Sequence, residues 1–155
     1  MTPAIVALER AGVAHRVLSY EHDPGAEAYG TEAAEALGLD PAGVHKTLVV
    51  ALAGGTHGVG LVPVTSQLDL KACARALGAK KATMAETRDA ERLTGYVVGG
   101  ISPLGQRRRL PTAVDEAAAS LPEIFVSAGR RGLEIGLAPE VLVDLLDAAL
   151  APLAS

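Results

Sequence analysis

Lys46 follows His45 directly and opens the apolar run 46–53, a position where an ammonium can be held beside a cleft to meet an anion or a carbonyl. The same position also suits a lysine whose stem packs on a strand end while its charge stays in water. Gly99-Gly100-Ile101-Ser102-Pro103 concentrates two glycines, a hydroxyl and a proline after a short apolar run. Such a segment can turn successive backbone N–H groups toward an anion or a developing oxyanion, and it can equally be a tight turn. Gln106-Arg107-Arg108-Arg109 and Arg130-Arg131 place five arginines in two loops, suited to phosphate contact or to plain solvation.

The usual nucleophile and metal signatures are missing. No Gly-rich loop ends in Lys-Ser or Lys-Thr, and no G-x-G-x-x-G follows a strand. The segment around Ser102 is not a G-x-S-x-G elbow, because the second flanking glycine is missing. His15, His22, His45 and His57 lack the i, i+4 spacing of zinc proteases and read as surface or partly buried imidazoles; no metal or cofactor is expected. Cys73 falls on the apolar face of a helix, where a lone thiol behaves as a small core hydrophobe.

The elements that must position these groups follow from periodicity and capping. Thr2, Pro3 and Gly12 bracket a helix over 3–11 with Ile5 and Leu8 on one face. Residues 15–19 suit a short strand, 21–30 a polar loop, and Thr31 caps a helix that Gly38 stops after Leu37. Strands are expected over 46–53 and 60–65, joined through Thr56-His57-Gly58, and helices over 68–77 and 86–93. Further strands are expected over 96–98, 113–115, 124–127 and 133–137, before a closing helix over 139–150. Helices and strands alternate too irregularly for a doubly wound parallel sheet, so the expected class is α+β, a mixed, barrel-like sheet flanked by helices.

With 155 residues, 49% of them hydrophobic and 21% charged, the chain is expected to fold as one domain over 1–155. Fourteen Lys and Arg against eighteen Asp and Glu leave a net charge of −4, which excludes a globally basic nucleic-acid coat and makes any RNA contact local. An aromatic share of 3% without Trp removes the usual stacking platform of single-strand readers. One cysteine, no basic leader and no membrane-length apolar run give a cytoplasmic expectation, with no membrane partner.

Several blocks, in order, resemble one known family: Tyr20-Glu21-His22-Asp23-Pro24, Lys46-Thr47-Leu48, Gln67-Leu68-Asp69-Leu70-Lys71, the run from Ala76 to Lys81, the long block Thr94 to Gln106, and Arg130-Arg131-Gly132-Leu133-Glu134-Ile135. They are similar to the YbaK-type Cys-tRNA(Pro)/Cys-tRNA(Cys) deacylases, free-standing relatives of the editing domain of prolyl-tRNA synthetases, over nearly the whole chain. The resemblance implies a trans-acting hydrolase of mischarged Cys-tRNA(Pro), with the substrate's own thiol attacking its carbonyl. It implies the tRNA(Pro) acceptor end as partner, and prolyl-tRNA synthetase as a second one.

By resemblance, Lys46, Tyr20, Gly100 and Glu134 are the catalytic set. Tyr29, Gly99, Ile101, Ser102, Pro103 and Ser127 line the substrate pocket, and Arg107, Arg108, Arg109, Arg130 and Arg131 are assigned to tRNA. Three positions depart from the family: Tyr29 stands for its phenylalanine, Ala128 for a glycine, and Glu134 for an aspartate one methylene shorter. The rival readings are a non-catalytic tRNA- or synthetase-binding module of the same fold, and a Schiff-base enzyme acting through Lys46.

Overall fold

The computed structural model describes residues 1–25 and 30–155 in full, and the backbone alone at Tyr29. Helix α1, Pro3–Ala11, forms as expected: Ile5 N–H donates to Thr2 Oγ1, Pro3 occupies the first turn, and Gly12 closes the helix at φ 67°. Its Ala4, Ile5 and Leu8 enter the main core, and the Thr2 hydroxyl donates to Ala128 O, tying the helix start to a distant strand. Strand β1 is Arg16–Ser19 and helix α2 is Tyr29–Leu37, which begins two residues before the expected cap at Thr31. Residues 26–28 of the expected polar loop lie outside the described residues.

The hairpin of β2, His45–Leu52, and β3, Thr56–Pro63, pairs His45 with Pro63 and Leu52 with Thr56. The turn therefore lies at 53–55 and Thr56-His57-Gly58 belongs to β3. Gly54 and Gly55 at φ 100° and 89° supply the left-handed backbone that a tight hairpin needs. Helix α3, Leu70–Ala76, is capped by Asp69, whose carboxylate accepts from Ala72 N–H. A short strand not expected from the sequence, β4 at Ala82–Met84, pairs with the far end of β2. Helix α4, Thr87–Thr94, follows.

The expected strand at 96–98 is instead a turn. Gly100 N–H donates to Val97 O, and the Tyr96 hydroxyl donates to Leu104 O, so this backbone is folded on itself rather than offered to a sheet. The remaining strands are β5 Thr112–Asp115, β6 Ile124–Arg130 and β7 Leu133–Leu137, the last as expected. Helix α5, Pro139–Leu146, stops four residues earlier than its apolar pattern suggests, at Asp147 with φ 49°. Ala149–Ala151 then pairs in parallel with β5 as β8.

Two sheets result, one of order β1-β7-β6 and one of order β4-β2-β3-β5-β8. The mixed α+β class is as expected, but the sheets do not close into a barrel: each keeps its own edges, and among the described residues a parallel bridge between Val44 and Phe125 joins them. Alternation along β2 and β3 feeds two cores. Val49, Val59 and Leu61 face α1, β6 and β7, whereas Val50, Leu52 and Val62 face α3.

Candidate active site

The bridge that joins the sheets also opens a cavity between them, about 400 Å³ in volume and within the range of small-molecule sites. Val44 N–H and C=O are held by Pro41 and Val64, and Phe125 N–H donates to Gly43 O, so the first turn of β2 is fixed against both sheets. That anchoring brings His45, Lys46 and Thr47 to the cavity together with Tyr20 after β1, Ser127 on β6 and Glu134 on β7. Glu134 sits opposite Ser127 in the ladder. Beyond Ser127 the register slips by a bulge that includes Gly129, and Arg130 re-enters the ladder opposite Leu133 at the cavity. A bulge of this kind bends its strand and re-aims a side chain.

Electrostatics set the chemistry. Glu134 is the one acidic side chain lining the cavity among the described residues, 6% exposed, and burial pushes its carboxyl up to about 8. At neutral pH it is therefore a protonated acid that can donate a hydrogen bond. Burial also raises the Tyr20 phenol, an effect that Glu134 and Glu32 reinforce and Arg131 opposes. Lys46 and Arg130 are left as lining cations without a lining carboxylate to neutralise them, a balance that favours phosphate or ester oxygens. The neighbouring chain is clamped by His22 Nδ1 and Asp23 N–H on the two oxygens of Glu32, at 2.9 and 3.0 Å. Among the described residues no group of three or more His, Cys, Asp or Glu is placed to hold a metal.

Lys46, Tyr20, Glu134, Gly99, Ile101, Ser127 and Arg130 thus share one cavity. Gly100 does not line it: its amide is used by Val97, and a Cβ there would lie 2.7 Å from Arg130 Cα, so glycine lets this turn pass close against the end of β6. Ser102 is fully buried, with its hydroxyl accepting from Leu104 N–H, and Pro103 lines a separate hollow beside α5. The expected run of free amides over 99–103 is therefore largely a packed turn. Arg107 and Arg108 are exposed, with their backbone N–H groups capping Thr94 and Leu93, and Arg109 borders the same hollow as Pro103. Arg131 borders a shallow depression with Gly100 and Gly129. The Tyr29 side chain lies outside the described residues.

Two lining residues escaped the sequence reading. His45 is 3% exposed and Thr47 carries a buried hydroxyl; His45 Nε2, Thr47 Oγ1 and Glu134 Oε2 are all buried without a hydrogen-bond partner among the described residues. None of these three atoms presents solvent-accessible surface, so each is enclosed by its neighbours beside the cavity. The available signal was the direct adjacency of all three β2 residues, which only the bridge at Val44 turns into a cavity wall.

A profile of the aminoacyl-tRNA editing domain matches residues 23–145. A protein of Enterococcus faecalis (strain ATCC 700802 / V583), named "Putative Cys-tRNA(Pro)/Cys-tRNA(Cys) deacylase EbsC", is 43% identical over 114 residues, 72% of this chain and 68% of that protein. A crystal structure described as "a putative trans-editing enzyme for prolyl tRNA synthetase" superposes with a TM-score of 0.86 at 28% identity, over 99% of this chain and 95% of its own. A hypothetical protein at 23% identity superposes with a TM-score of 0.89 over 99% of this chain and all of its own, and shows the shared fold.

Proposed function

The chain belongs to the aminoacyl-tRNA editing-domain family, and from that premise we propose that it is a trans-acting deacylase that clears cysteine from mischarged tRNA(Pro), working as one editing domain. The observation that carries this reading is the convergence of Lys46, Tyr20, Ser127 and Glu134 on one cavity whose fixed charges are positive and whose single carboxyl is neutral. The terminal adenosine ester brings phosphate and ribose oxygens to Lys46 and Arg130. The protonated Glu134 and the Tyr20 phenol orient the aminoacyl group, and Gly99 and Ile101 border its carbonyl. Exposed arginines at 107–109, with Arg130 and Arg131, meet the tRNA backbone, and prolyl-tRNA synthetase is the partner from which the substrate is taken.

The nucleophile is the substrate's thiol. Cys73, the chain's own thiol, is fully buried against the α3 side of the sheet and does not line the cavity. Pocket size alone separates side chains that differ by one small group by only about 1–3 kcal/mol. A thiol of reference pKa about 8.5 is partly ionised near neutral pH, whereas alanine offers no nucleophile and a serine hydroxyl ionises far less. Single-turnover hydrolysis of Cys-, Ser-, Ala- and Pro-charged tRNA(Pro) tests the proposal. Cysteine release should be much the fastest and should rise with pH toward the thiol pKa. Equal release of alanine and cysteine would replace thiol assistance by an activated water, and release of none would leave a binding module.

A further inference from the structure

The turn at 97–100 is a ridge with a hollow on either side. Val98 and Gly99 line the cavity described above, while Val97 and Gly100 line a second, shallower depression of about 320 Å³, whose wall Val98 shares. Arg130 borders both hollows, and Arg131 borders the second. Close packing fixes this rim: a Cβ on Gly100 would lie 2.7 Å from Arg130 Cα, and one on Gly129 would lie 2.7 Å from Tyr96 Cε1. Val98 N–H donates to Glu91 Oε2 at 2.8 Å and Arg107 N–H to Thr94 O at 2.9 Å, so the backbone is tied down on both flanks of the turn. On this held backbone the Val97 and Val98 side chains are exposed to solvent. Two apolar side chains presented beside arginines suit a ligand with a flat apolar face and an anionic edge.

We propose that this depression binds the penultimate nucleotide of the substrate's acceptor strand, a site that rests on the deacylase reading above. With the terminal adenosine ester in the cavity, the strand must leave over a rim, and the ridge at Val98 carries a cation common to both hollows. Arg130 meets the phosphate that links the last two nucleotides, and the penultimate base lies against Val97 and Val98. The aliphatic ledge takes the place of the aromatic rings on which single-strand readers stack their bases. Charge complementarity and continuity with the cavity favour this occupant over a protein segment, which the exposed valines alone would also suit.

Cysteine esters of adenosine and of cytidylyl-(3′→5′)-adenosine, the last one and the last two nucleotides of an acceptor end, test the site through kcat/KM. The dinucleotide ester should be hydrolysed about 10- to 100-fold more efficiently, the worth of a charged phosphate contact and a packed base. Val97→Asp removes the ledge and sets an anion against the phosphate. It should erase most of that advantage and leave the adenosine ester at the wild-type rate. Val97→Ser, a milder change on the same exposed turn, should lose part of the advantage. Equal kcat/KM for the two esters in the wild type, or Val97 variants that keep the advantage or slow both esters alike, would overturn the site and leave deacylation intact. A Val97→Asp protein slowed only when prolyl-tRNA synthetase is present would make this face a protein contact and overturn the nucleotide site as well. Cleavage of Cys-tRNA(Pro) with neither small ester cleaved would overturn it too, and no cysteine release from any of the three would overturn the deacylase reading with it.

Discussion

Two buried carboxylates, Asp115 in the five-stranded sheet and Glu134 in the three-stranded one, are treated in opposite ways. Asp115, at the end of β5, accepts from Leu153 and Ala154 N–H on one oxygen and from Ala117 N–H on the other, at 3.0, 3.0 and 3.3 Å. One oxygen holds the C-terminal segment against the α3 core and the other caps the 3-10 turn at Glu116–Ser120. Glu134 is equally buried yet Oε2 has no partner among the described residues, and it keeps its proton up to about pH 8. The first carboxylate is bonded into the packing; the second is kept neutral by burial. Around them the same division holds. The α3 face packs Val50, Leu52, Val62, Cys73 and Leu153 into an apolar layer, while beside the cavity His45 Nε2 and Thr47 Oγ1 are buried with no partner among the described residues. Unpaired buried groups cost stability, and natural folds retain them where function uses them.

Substitutions on the two faces should therefore separate rate from stability. Lys46→Ala should show the largest effect, a loss of deacylation of about 10²- to 10³-fold, comparable to removing a donor aimed at developing charge. Its melting temperature should stay near that of the wild type, because a half-buried strand-end lysine carries little of the core. A folded Lys46→Ala protein at the wild-type rate would remove Lys46 from the site. Asp115→Ala should do the reverse. It strands up to three backbone N–H groups, for a destabilisation of about 2–4 kcal/mol by urea unfolding, and wild-type stability would show that the C-terminal segment is held by apolar packing alone.

Glu134→Gln sharpens the comparison through pH. The folded-state pKa of Glu134 is raised above its ordinary 4.5 to about 8, so the native protein binds a proton that the unfolded chain has released. Stability contributed by this group is complete below the unfolded pKa and is lost as pH rises through the window between those values, by at most about 1.4 kcal/mol per pH unit. Glutamine cannot ionise, so the variant should gain melting temperature over the wild type as pH rises from 5 to 8. A difference independent of pH would mean that Glu134 is charged in the folded protein. The smallest effect belongs to Cys73→Ala. Loss of a buried sulfur should cost about 1 kcal/mol by thermal melting with the deacylation rate unchanged, and a lost activity would contradict the placement of Cys73 in the packed face.

Much of this architecture was legible in local chemistry. Thr2, Pro3 and Gly12 delimit α1 by capping, the alternation in 133–137 defines β7, and the apolar spacing of Leu70, Cys73 and Ala74 places α3, whose start at Leu70 is set by the Asp69 cap that only the structure shows. These signals act within a few residues and need no partner. The errors share a different origin. Val97 and Val98 are exposed at 72% and 42%, and their strand-like composition is overruled by the turn that Gly99, at φ 97°, and Tyr96 impose. Ala149–Ala151 continues the helical pattern of α5 but is captured by β5, and Ala82–Met84 becomes a strand only because β2 offers it an edge.

The sequence by itself determined the helices with their caps, the apolar strands, the family and the residue types of the site. Only the tertiary structure decided that His45, Lys46 and Thr47 would share a cavity with Tyr20 and Glu134, nearly ninety residues away along the chain from β2 to β7. It also decided that Gly100, Ser102 and Pro103 would support the neighbouring turn instead of lining that cavity. Capping and periodicity are short-range properties of a chain, whereas burial, desolvation and the absence of a hydrogen-bond partner are properties of a place. Such a place exists here only after the bridge between Val44 and Phe125 has joined two sheets around one cavity.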